Sequence, residues 1–174
     1  MGKFKDLKRR GWILRNVSYP ESDAEHSFSV ALLTLILAPQ GIDKFKCLKM
    51  ALIHDLAEIY AGDYTPDDKI LPQQKFLREK NAAIILANEL GWPELVELFE
   101  EYEKMETKES LFVKALDKLD NVVSAKYYDI NNRSDVKLVN EFAKHAEGCI
   151  NNIKISEIEQ VKSILNYIAD KGVQ

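Results

Sequence analysis

The chain has 174 residues, of which 46% are hydrophobic and 30% charged, a composition typical of a folded globular protein that excludes a largely disordered one. A chain of this length is expected to form one domain, residues 1–174, whose core needs no disulfide framework. Lys and Arg number 24 against 28 Asp and Glu, and the net charge of -4 argues against a broad surface for duplex nucleic acid.

Capping residues and apolar spacing predict an all-α chain of about seven helices. Ser22 and Glu25 have the spacing of a capping box, so the first helix should begin at about residue 23 and end near residues 39–41. Asp43 should cap a second helix over residues 44–60. No stretch alternates apolar and polar residues for long enough to predict a sheet.

Five further helices are predicted after a loop that is rich in Asp and Pro. Thr107 and Ser134 stand where helix caps are expected, and Ser156 begins a second capping-box pattern. The five helices are expected at residues 73–90, 93–103, 108–130, 135–150 and, from the Ser156 capping box, up to residue 169.

The cysteines and the longest apolar run bear on the compartment. Cys47 and Cys149 are too few for several bridges and are interpreted as reduced thiols. Residues 1–12 are charged and lack the apolar core of a signal peptide. The longest apolar run, residues 30–38, is far shorter than the roughly 20 residues that span a bilayer. We therefore expect a cytoplasmic protein with no membrane partner.

Three polar residues interrupt an otherwise apolar segment of the second predicted helix. His54 and Glu58 are four residues apart and would share a helix face, with Asp55 about 100° round from His54. A buried charge is costly unless it is paired, hydrogen-bonded or bound to a metal ion. This spacing fits a divalent cation on His54 and Asp55 with Glu58 beside a bound water, and it fits a buried salt-bridge network equally well.

Two other helices offer further ligands for a cation. His26 lies in the first turn of its predicted helix and, taken alone, is more typical of a cap or a core histidine. His26 and His54 are two of the three histidines of the chain, and both lie on helices that must pack in the core. The third histidine, His145, is interpreted as a surface residue. Asp117 and Asp120 are three residues apart and offer carboxylate ligands. The alternative interpretation is that they lie on a solvated helix face with lysine partners. Imidazole with carboxylate suits Mn, Fe, Co, Ni or Zn.

Five ordered segments resemble the HD-domain metal-dependent phosphohydrolases, and among them the 5'-deoxynucleotidase branch. The matching words are Gly11-Trp12 with Arg15-Asn16-Val17, Glu21-Ser22 with Glu25-His26-Ser27, His54-Asp55-Leu56-Ala57-Glu58, Gly62-Asp63 with Thr65-Pro66, and Phe112-Val113-Lys114-Ala115-Leu116-Asp117. They run from about Arg9 to Asp117 and cover most of the chain. A single His-Asp pair is weak evidence, whereas the ordered set is specific.

The resemblance implies an all-α HD-domain bundle that binds one divalent ion (Co, Mn, Zn, Ni or Fe) through His26, His54, Asp55 and Asp117. It implies metal-dependent hydrolysis of (deoxy)nucleoside 5'-monophosphates to nucleoside and phosphate, with Glu58 and Asp63 as the catalytic residues near the attacking water. It assigns substrate binding to the N-terminal residues Arg9, Arg10, Trp12 and Arg15. Gly11 stands where some members carry an arginine that touches substrate, so the arginine that takes this role is left open.

The resemblance and the helical wheel disagree about the fourth metal ligand. Asp120 lies about 70° from the centre of the apolar stripe of its helix and Asp117 about 130°, so burial alone favours Asp120. The motif position favours Asp117, which we adopt because a helix in a bundle can bury two faces. Asp120 is then expected to support a ligand rather than to bind the ion.

Two other functions compete with the nucleotidase. One is a different reaction at the same site, on a cyclic phosphodiester or a nucleoside triphosphate. The other is a metal- or nucleotide-binding module without turnover, against which Glu58 and Asp63 argue because binding alone would not need them. The expected partner is a small nucleotide and not a nucleic acid. We also expect a homodimer, because the helices after residue 130 keep apolar stripes, although those stripes could equally cover the core.

Overall fold

The computed structural model describes residues 1–65 and 68–170, and these ranges contain helices and no β-strand. The prediction of an all-α fold is confirmed, and seven of the described helices have ten or more residues. None of the helices in the described ranges has the length and apolarity needed to cross a membrane. The predicted loop residues Pro66 and Asp67 lie outside the described residues. The helices are α1 Gly2–Asp6, α2 Arg10–Ile13, α3 Asp23–Leu37, α4 Lys44–Ile53, α5 Glu58–Ala61, α6 Pro72–Leu90, α7 Glu94–Lys104, α8 Lys108–Ile130, α9 Val139–Ile150 and α10 Glu159–Asp170.

Helix α8 is the centre of the bundle, because α3, α4, α7, α9 and α10 all pack against it. Thr107 caps α8 through a capping box with Ser110, as its sequence position predicts. Phe112, Leu116 and Leu119 on α8 are completely buried. With neighbours on several sides, α8 buries more than one face, so polar residues off its apolar stripe can also lie in the interior.

Helices α3 and α4 form an antiparallel pair beside α8. The capping box of Ser22 and Glu25 starts α3 at residue 23, as predicted. At the far end of α3, Lys44 Nζ donates to the Leu35 carbonyl at 3.2 Å. At the near end, His26 in the first turn of α3 meets the C-terminus of α4. The pair therefore brings the start of α3 and the end of α4 to one place.

The second predicted helix is not continuous, which corrects the expected face shared by His54 and Glu58. Helix α4 ends at Ile53, and the amides of residues 56, 58 and 59 donate to carbonyls three residues earlier. Glu58 begins the short helix α5, which Gly62 ends with φ of 86°. Turns of three residues rotate side chains by about 120° per residue rather than 100°. His54 and Asp55 therefore lie in a tight turn between two helices.

Helix α9 begins at Val139, four residues later than Asp135, the predicted first residue. The Asp129 carboxylate, at the end of α8, accepts the amides of Leu138 at 2.9 Å and Val139 at 3.0 Å. The predicted cap, Ser134, instead donates its hydroxyl to the carbonyl of Arg15 at 3.1 Å. A contact from α8 therefore sets the start of α9, and the local serine ties the loop to the N-terminal segment.

Two other parts of the chain differ from the predicted elements. The Ser156 hydroxyl forms no cap; Ser156–Ile158 is a 3₁₀ turn, and α10 follows from Glu159. The short helices α1 and α2 were not predicted. In α2, Trp12 packs against Tyr128 and Phe142, which gives the N-terminal segment a small apolar cluster of its own on α8 and α9.

Removal of the Asp129 carboxylate should cost more stability than removal of the Ser134 hydroxyl. Asp129→Ala leaves two buried amides without an acceptor, so we expect the free energy of unfolding to fall by about 1 to 3 kcal/mol. Ser134→Ala should lower it by less than about 1 kcal/mol. Urea denaturation followed by circular dichroism measures both variants. A larger loss in Ser134→Ala would restore the serine as the cap of α9.

Candidate metal centre and its cavity

The imidazoles of His26 and His54 face each other in the interior, with their Nε2 atoms 3.2 Å apart. Each Nδ1 already has a partner: the Ala51 carbonyl lies 2.8 Å from that of His54, and Asp120 Oδ2 lies 2.8 Å from that of His26. A carbonyl only accepts, so the Nδ1 atom of His54 carries a proton and Nε2 is the nitrogen that can bind a cation. Both rings therefore aim the same nitrogen at one point.

Two carboxylates approach the same point. Asp117 Oδ1 lies 3.4 Å from His26 Nε2, and Asp55 Oδ2 lies 3.3 Å from His54 Nε2. Ligand atoms about 2.1 Å from one ion stand about 3.0 to 3.4 Å apart at tetrahedral to octahedral angles. The ligand atoms of His26, His54 and Asp117 lie within 4.8 Å of one another. The arrangement and its nitrogen and oxygen donors thus fit a single divalent cation.

The two candidate aspartates of α8 take different positions around His26. Asp117 is 4% exposed and turns to Nε2, whereas Asp120 is 1% exposed and meets Nδ1. The other oxygen of Asp120 accepts the Ser29 hydroxyl. A carboxylate behind a histidine that holds the ring in place is common at metal sites. The helical wheel favours Asp120 because it assumes one buried stripe, whereas α8 is enclosed on several sides and buries both aspartates.

The charges around the donor set raise the pKa of His26 and lower the pKa of Asp117. Burial and the Arg9 charge lower the pKa of His26, but hydrogen bonds with Asp117 and Asp120 outweigh them and raise it to about 9. Burial opposes ionisation of Asp117, yet Lys118 and His26 bring its pKa well below the usual value. A cation at Nε2 must displace the His26 proton, so its affinity is expected to rise with pH up to about 9.

Glu58 and Asp23 lie beside the donor set with little to stabilise their negative charge. Glu58 is 6% exposed, and its Oε2 has no hydrogen-bond partner among the described residues. Burial and the charges of Asp55, Asp63 and Asp23 raise the pKa of Glu58 well above its usual value. Burial and Asp55 raise the pKa of Asp23 to about 7. The site therefore holds exchangeable protons next to the expected ion.

The arginines of the N-terminal segment have different partners. Arg9 Nη1 lies 2.5 Å from Asp55 Oδ2, so this guanidinium reaches the donor set and lines the cavity above it. The guanidinium of Arg10 pairs with Asp68 at 2.7 Å and is not among the residues that line the cavity. The backbone amide of Arg10 donates to Asp63 Oδ2 at 2.7 Å. Arg10 thus holds the chain that follows α5 against α2.

Trp12 and Arg15 lie on the opposite side of the cavity, next to α9. Trp12 is 1% exposed, and its Nε1 donates to Glu21 Oε1 at 2.8 Å. Its ring packs on Phe142 with centroids 4.3 Å apart. The Arg15 guanidinium donates from Nε to Glu141 Oε1 at 3.1 Å. The structure thus brings Arg9, Trp12 and Arg15 to one cavity and turns the side chain of Arg10 away from it.

The cavity above the donor set has a volume of about 390 Å³ and includes residues that the motifs did not indicate. Around Asp117, Tyr102 donates its hydroxyl at 3.1 Å, Asn121 its amide at 3.0 Å, and Lys118 pairs at 3.0 Å. Asn121 follows Asp117 by one turn, a signal that the sequence did contain. Tyr102 comes from α7, whose packing no local pattern reveals. His145 is exposed, as expected, yet it lines the mouth of the cavity.

A comparison with known families decides the identity of this arrangement. The model of the HD domain matches residues 1–158, which include all the residues around the donor set. This chain belongs to the HD-domain family. HD domains are metal-dependent, and this HD-domain protein has a His/Asp cluster that can hold a metal ion.

Relatives of this HD-domain protein match over most of its length. The protein named 5'-deoxynucleotidase HDDC2 of Dictyostelium discoideum is 40% identical over 139 residues, 74% of this chain and 73% of that protein. The 5'-deoxynucleotidase YGK1 of Saccharomyces cerevisiae is 30% identical over 165 residues, 90% of this chain and 74% of that protein. The structure of a conserved hypothetical protein from Pyrococcus furiosus is similar with a TM-score of 0.79 and 34% identity, over 97% of this chain and 95% of that one.

Metal content should separate the roles of the two aspartates of α8. We expect Asp117→Ala to lose bound metal, because it removes an oxygen of the donor set. Asp120→Ala should keep the site but weaken metal affinity by about 10- to 100-fold, because the His26 ring loses its partner. Mass spectrometry of dialysed protein and calorimetric titration with Mn²⁺ or Co²⁺ measure both, with the exposed Asp135→Ala as control. Full occupancy in Asp117→Ala would exclude Asp117 as a ligand.

Proposed function

We propose that this HD-domain protein hydrolyses deoxynucleoside 5'-monophosphates to nucleoside and inorganic phosphate, with one divalent ion held by His26, His54, Asp55 and Asp117. The observation that carries the proposal is the convergence of two imidazole nitrogens and two carboxylates on the floor of a cavity of about 390 Å³. The relatives named 5'-deoxynucleotidases support this substrate class.

The ion, when bound, supplies Lewis acidity toward a phosphoryl oxygen and lowers the pKa of a coordinated water. Glu58 orients the attacking water and accepts its proton, because its carboxylate lies next to Asp55 and its Oε2 has no hydrogen-bond partner among the described residues. Asp63, held by the Arg10 amide, is the second carboxylate assigned to this proton transfer. Attack on phosphorus breaks the bond to the nucleoside oxygen, which leaves with a proton.

Cationic side chains at the cavity match the charge of the substrate phosphate. Arg9 is proposed to contact the phosphate, because its guanidinium lies beside Asp55 and its planar donors suit two phosphate oxygens. Lys118 adds a second positive charge next to Asp117. Arg10 is proposed to act on the substrate side by holding Asp63 in place. Trp12 is proposed to shape the sugar end of the cavity with the edge of its ring that lines it.

The ion and the compartment are further parts of the proposal. Nitrogen and oxygen donors favour Mn, Fe, Co, Ni or Zn over Mg or Ca. The two cysteines are free thiols, Cys47 buried and Cys149 partly so, which supports a reducing compartment such as the cytoplasm. We also infer that residues 1–174 form one HD-type domain, because buried residues of α1, α3, α4 and α6 to α10 belong to one apolar core.

A matrix of metals and nucleotides tests the activity. We expect phosphate release from deoxynucleoside monophosphates that a chelator abolishes and Mn²⁺ or Co²⁺ restores. Glu58→Gln should lower kcat by about 100-fold or more and keep the metal, whereas the exposed Glu106→Gln should not change it. Faster turnover of cyclic nucleotides or triphosphates would replace the proposed reaction. If no phosphate is released at saturating metal, the protein is a metal- or nucleotide-binding module without turnover.

The expectation of a homodimer needs a different surface from the one the sequence indicated. Val139 of α9 and Val161 and Leu165 of α10, which belong to the stripes that the sequence indicated, are buried in the core. Helix α3 exposes another apolar stripe, whose four residues lie on one face of the helix. An exposed apolar face of this kind typically marks an interaction site. Its residues are Phe28, Leu32, Leu35 and Ile36, exposed by 66, 46, 50 and 67%. We propose that a second copy of the chain covers this face.

Charge on this face should separate the copies. We expect wild-type protein to run as a dimer in size-exclusion chromatography with light scattering. Phe28→Glu combined with Ile36→Glu should yield folded monomers, because a like-charged cluster would lie across the interface. Tyr167→Glu on the exposed side of α10 is the control and should remain dimeric. A wild-type monomer at all concentrations would refute the proposal.

A further inference from the structure

The guanidinium of Arg15 is fixed between α2 and α9. Its Nε donates to Glu141 Oε1 at 3.1 Å and lies 3.2 Å from Oε2, and Nη2 donates to the same carboxylate. Its Nη1 donates to the carbonyl of Gly11 at 2.9 Å. All three guanidinium nitrogens are thus engaged by this chain, and their partners hold the plane of the group in one orientation.

Phe142 supports this guanidinium from below. The Arg15 Cζ atom lies over the Phe142 ring, 5.1 Å from its centroid. The Phe142 ring in turn packs on the buried indole of Trp12, with centroids 4.3 Å apart. The three planar groups form a layered wall between α2 and α9. Arg15 is the outer layer, with 24% of its side chain exposed, and it lines the cavity.

This arrangement suits stacking better than phosphate binding. A phosphate-binding arginine grips two oxygens with one edge of its guanidinium, and here the Nε–Nη2 edge is already taken by Glu141, while Nη1 donates to Gly11. A flat ligand would instead meet the face of the guanidinium. Flat aromatic rings stack on guanidinium faces, and nucleobases do so in many protein complexes.

The wall formed by lining residues of α6, α7 and α8 has a different character. There Lys75 pairs with Glu79 at 3.0 Å, and Lys114 lies 3.9 Å from Glu103. Two aromatic residues also line the cavity, but a cation already lies over each ring: Arg78 is 5.6 Å from the Tyr64 centroid, and Lys114 is 4.3 Å from the Tyr102 centroid. The two walls therefore give a nucleotide a direction, with its phosphate at the donor set and its base toward α9.

Building on the proposed function, we propose that Arg15 is the stacking platform for the nucleobase of the substrate. Glu141 is then a positioning residue, which acts on the base only by holding the Arg15 plane. The platform recognises the base by its face, so it distinguishes a nucleotide from a sugar phosphate and not one base edge from another.

A substrate without a base isolates this contact. 2-Deoxyribose 5-phosphate keeps the sugar and the phosphate and lacks the base. We expect the wild-type protein to favour dAMP over 2-deoxyribose 5-phosphate in kcat/KM, with most of the difference in KM, because stacking acts equally in the ground and transition states. Calorimetric titration of metal-loaded protein with 2'-deoxyadenosine measures the same contact without turnover.

Two variants test the platform and its clamp. Arg15→Lys keeps the positive charge and removes the plane, and Glu141→Gln keeps the plane and weakens the clamp. We expect each to lower the preference for dAMP over 2-deoxyribose 5-phosphate, by about tenfold for Arg15→Lys, and to weaken binding of 2'-deoxyadenosine to match. Glu147→Gln, on α9 but away from the cavity lining, should change neither quantity. Thermal melts confirm that the variants fold.

Several outcomes would overturn the platform. Equal losses on dAMP and 2-deoxyribose 5-phosphate in Arg15→Lys would make Arg15 a phosphate contact. An unchanged preference in both variants, or a wild-type protein without that preference, would place the base elsewhere. If the wild-type protein released no phosphate at all, the proposed activity would fail, and the 2'-deoxyadenosine titration would still decide for or against the platform.

Discussion

The hydrogen bond between His26 Nδ1 and Asp120 Oδ2, 2.8 Å long and buried between α3 and α8, sets the geometry on which the site depends. It turns the opposite nitrogen of the ring toward His54 and Asp117. Because α3 and α8 both approach α4 at this level, the same contact aligns three helices. Loss of this bond would leave a charged carboxylate unpaired in the interior, so the fold and the donor set are stabilised together.

The acidic side chains around this contact explain part of the negative charge of the chain. Asp55, Asp117, Asp23 and Glu58 lie around the donor set, where Arg9 pairs with Asp55 and Lys118 with Asp117. Burial and the repulsion between neighbouring carboxylates together raise the pKa of Glu58 and of Asp23. A bound divalent ion would neutralise part of this negative charge, and the protein with its ion could then accept an anionic substrate. An acidic protein can therefore bind phosphate.

Local sequence signals predicted the elements that local contacts stabilise. The capping box at Ser22 and the cap at Thr107 are made within four residues, and both occur as expected, whereas the capping box expected at Ser156 does not form. The start of α9 depends on Asp129, which lies ten residues before Val139, so a search for a nearby hydroxyl selected Ser134 instead. The break after Ile53 has no Pro or Gly to mark it, because three-residue turns replace helix there without a change in composition.

The ordered motifs along the chain predicted the metal-ligand residues of the candidate site. The sequence did not predict the residues that only the packing of distant helices brings to the site. The motif residues His26, His54, Asp55 and Asp117 do meet in the structure, although they come from three parts of the bundle. No spacing rule brings Tyr102 to Asp117, since α7 reaches it only through its packing on α8. The clamp of Arg15 by Glu141 joins residues 126 positions apart and is invisible to any local pattern.

The cap of α9 by Asp129 has a consequence for the dimensions of the cavity. Asp117 and Asp129 stand on the same continuous helix, twelve residues apart, which corresponds to about 18 Å of helix axis. One end of this rigid segment carries an oxygen of the donor set, and the other fixes the start of the helix that forms the far wall. The distance along the α8 axis between the Asp117 carboxylate and the start of α9 is therefore set by the rise per residue of one helix and not by a flexible loop.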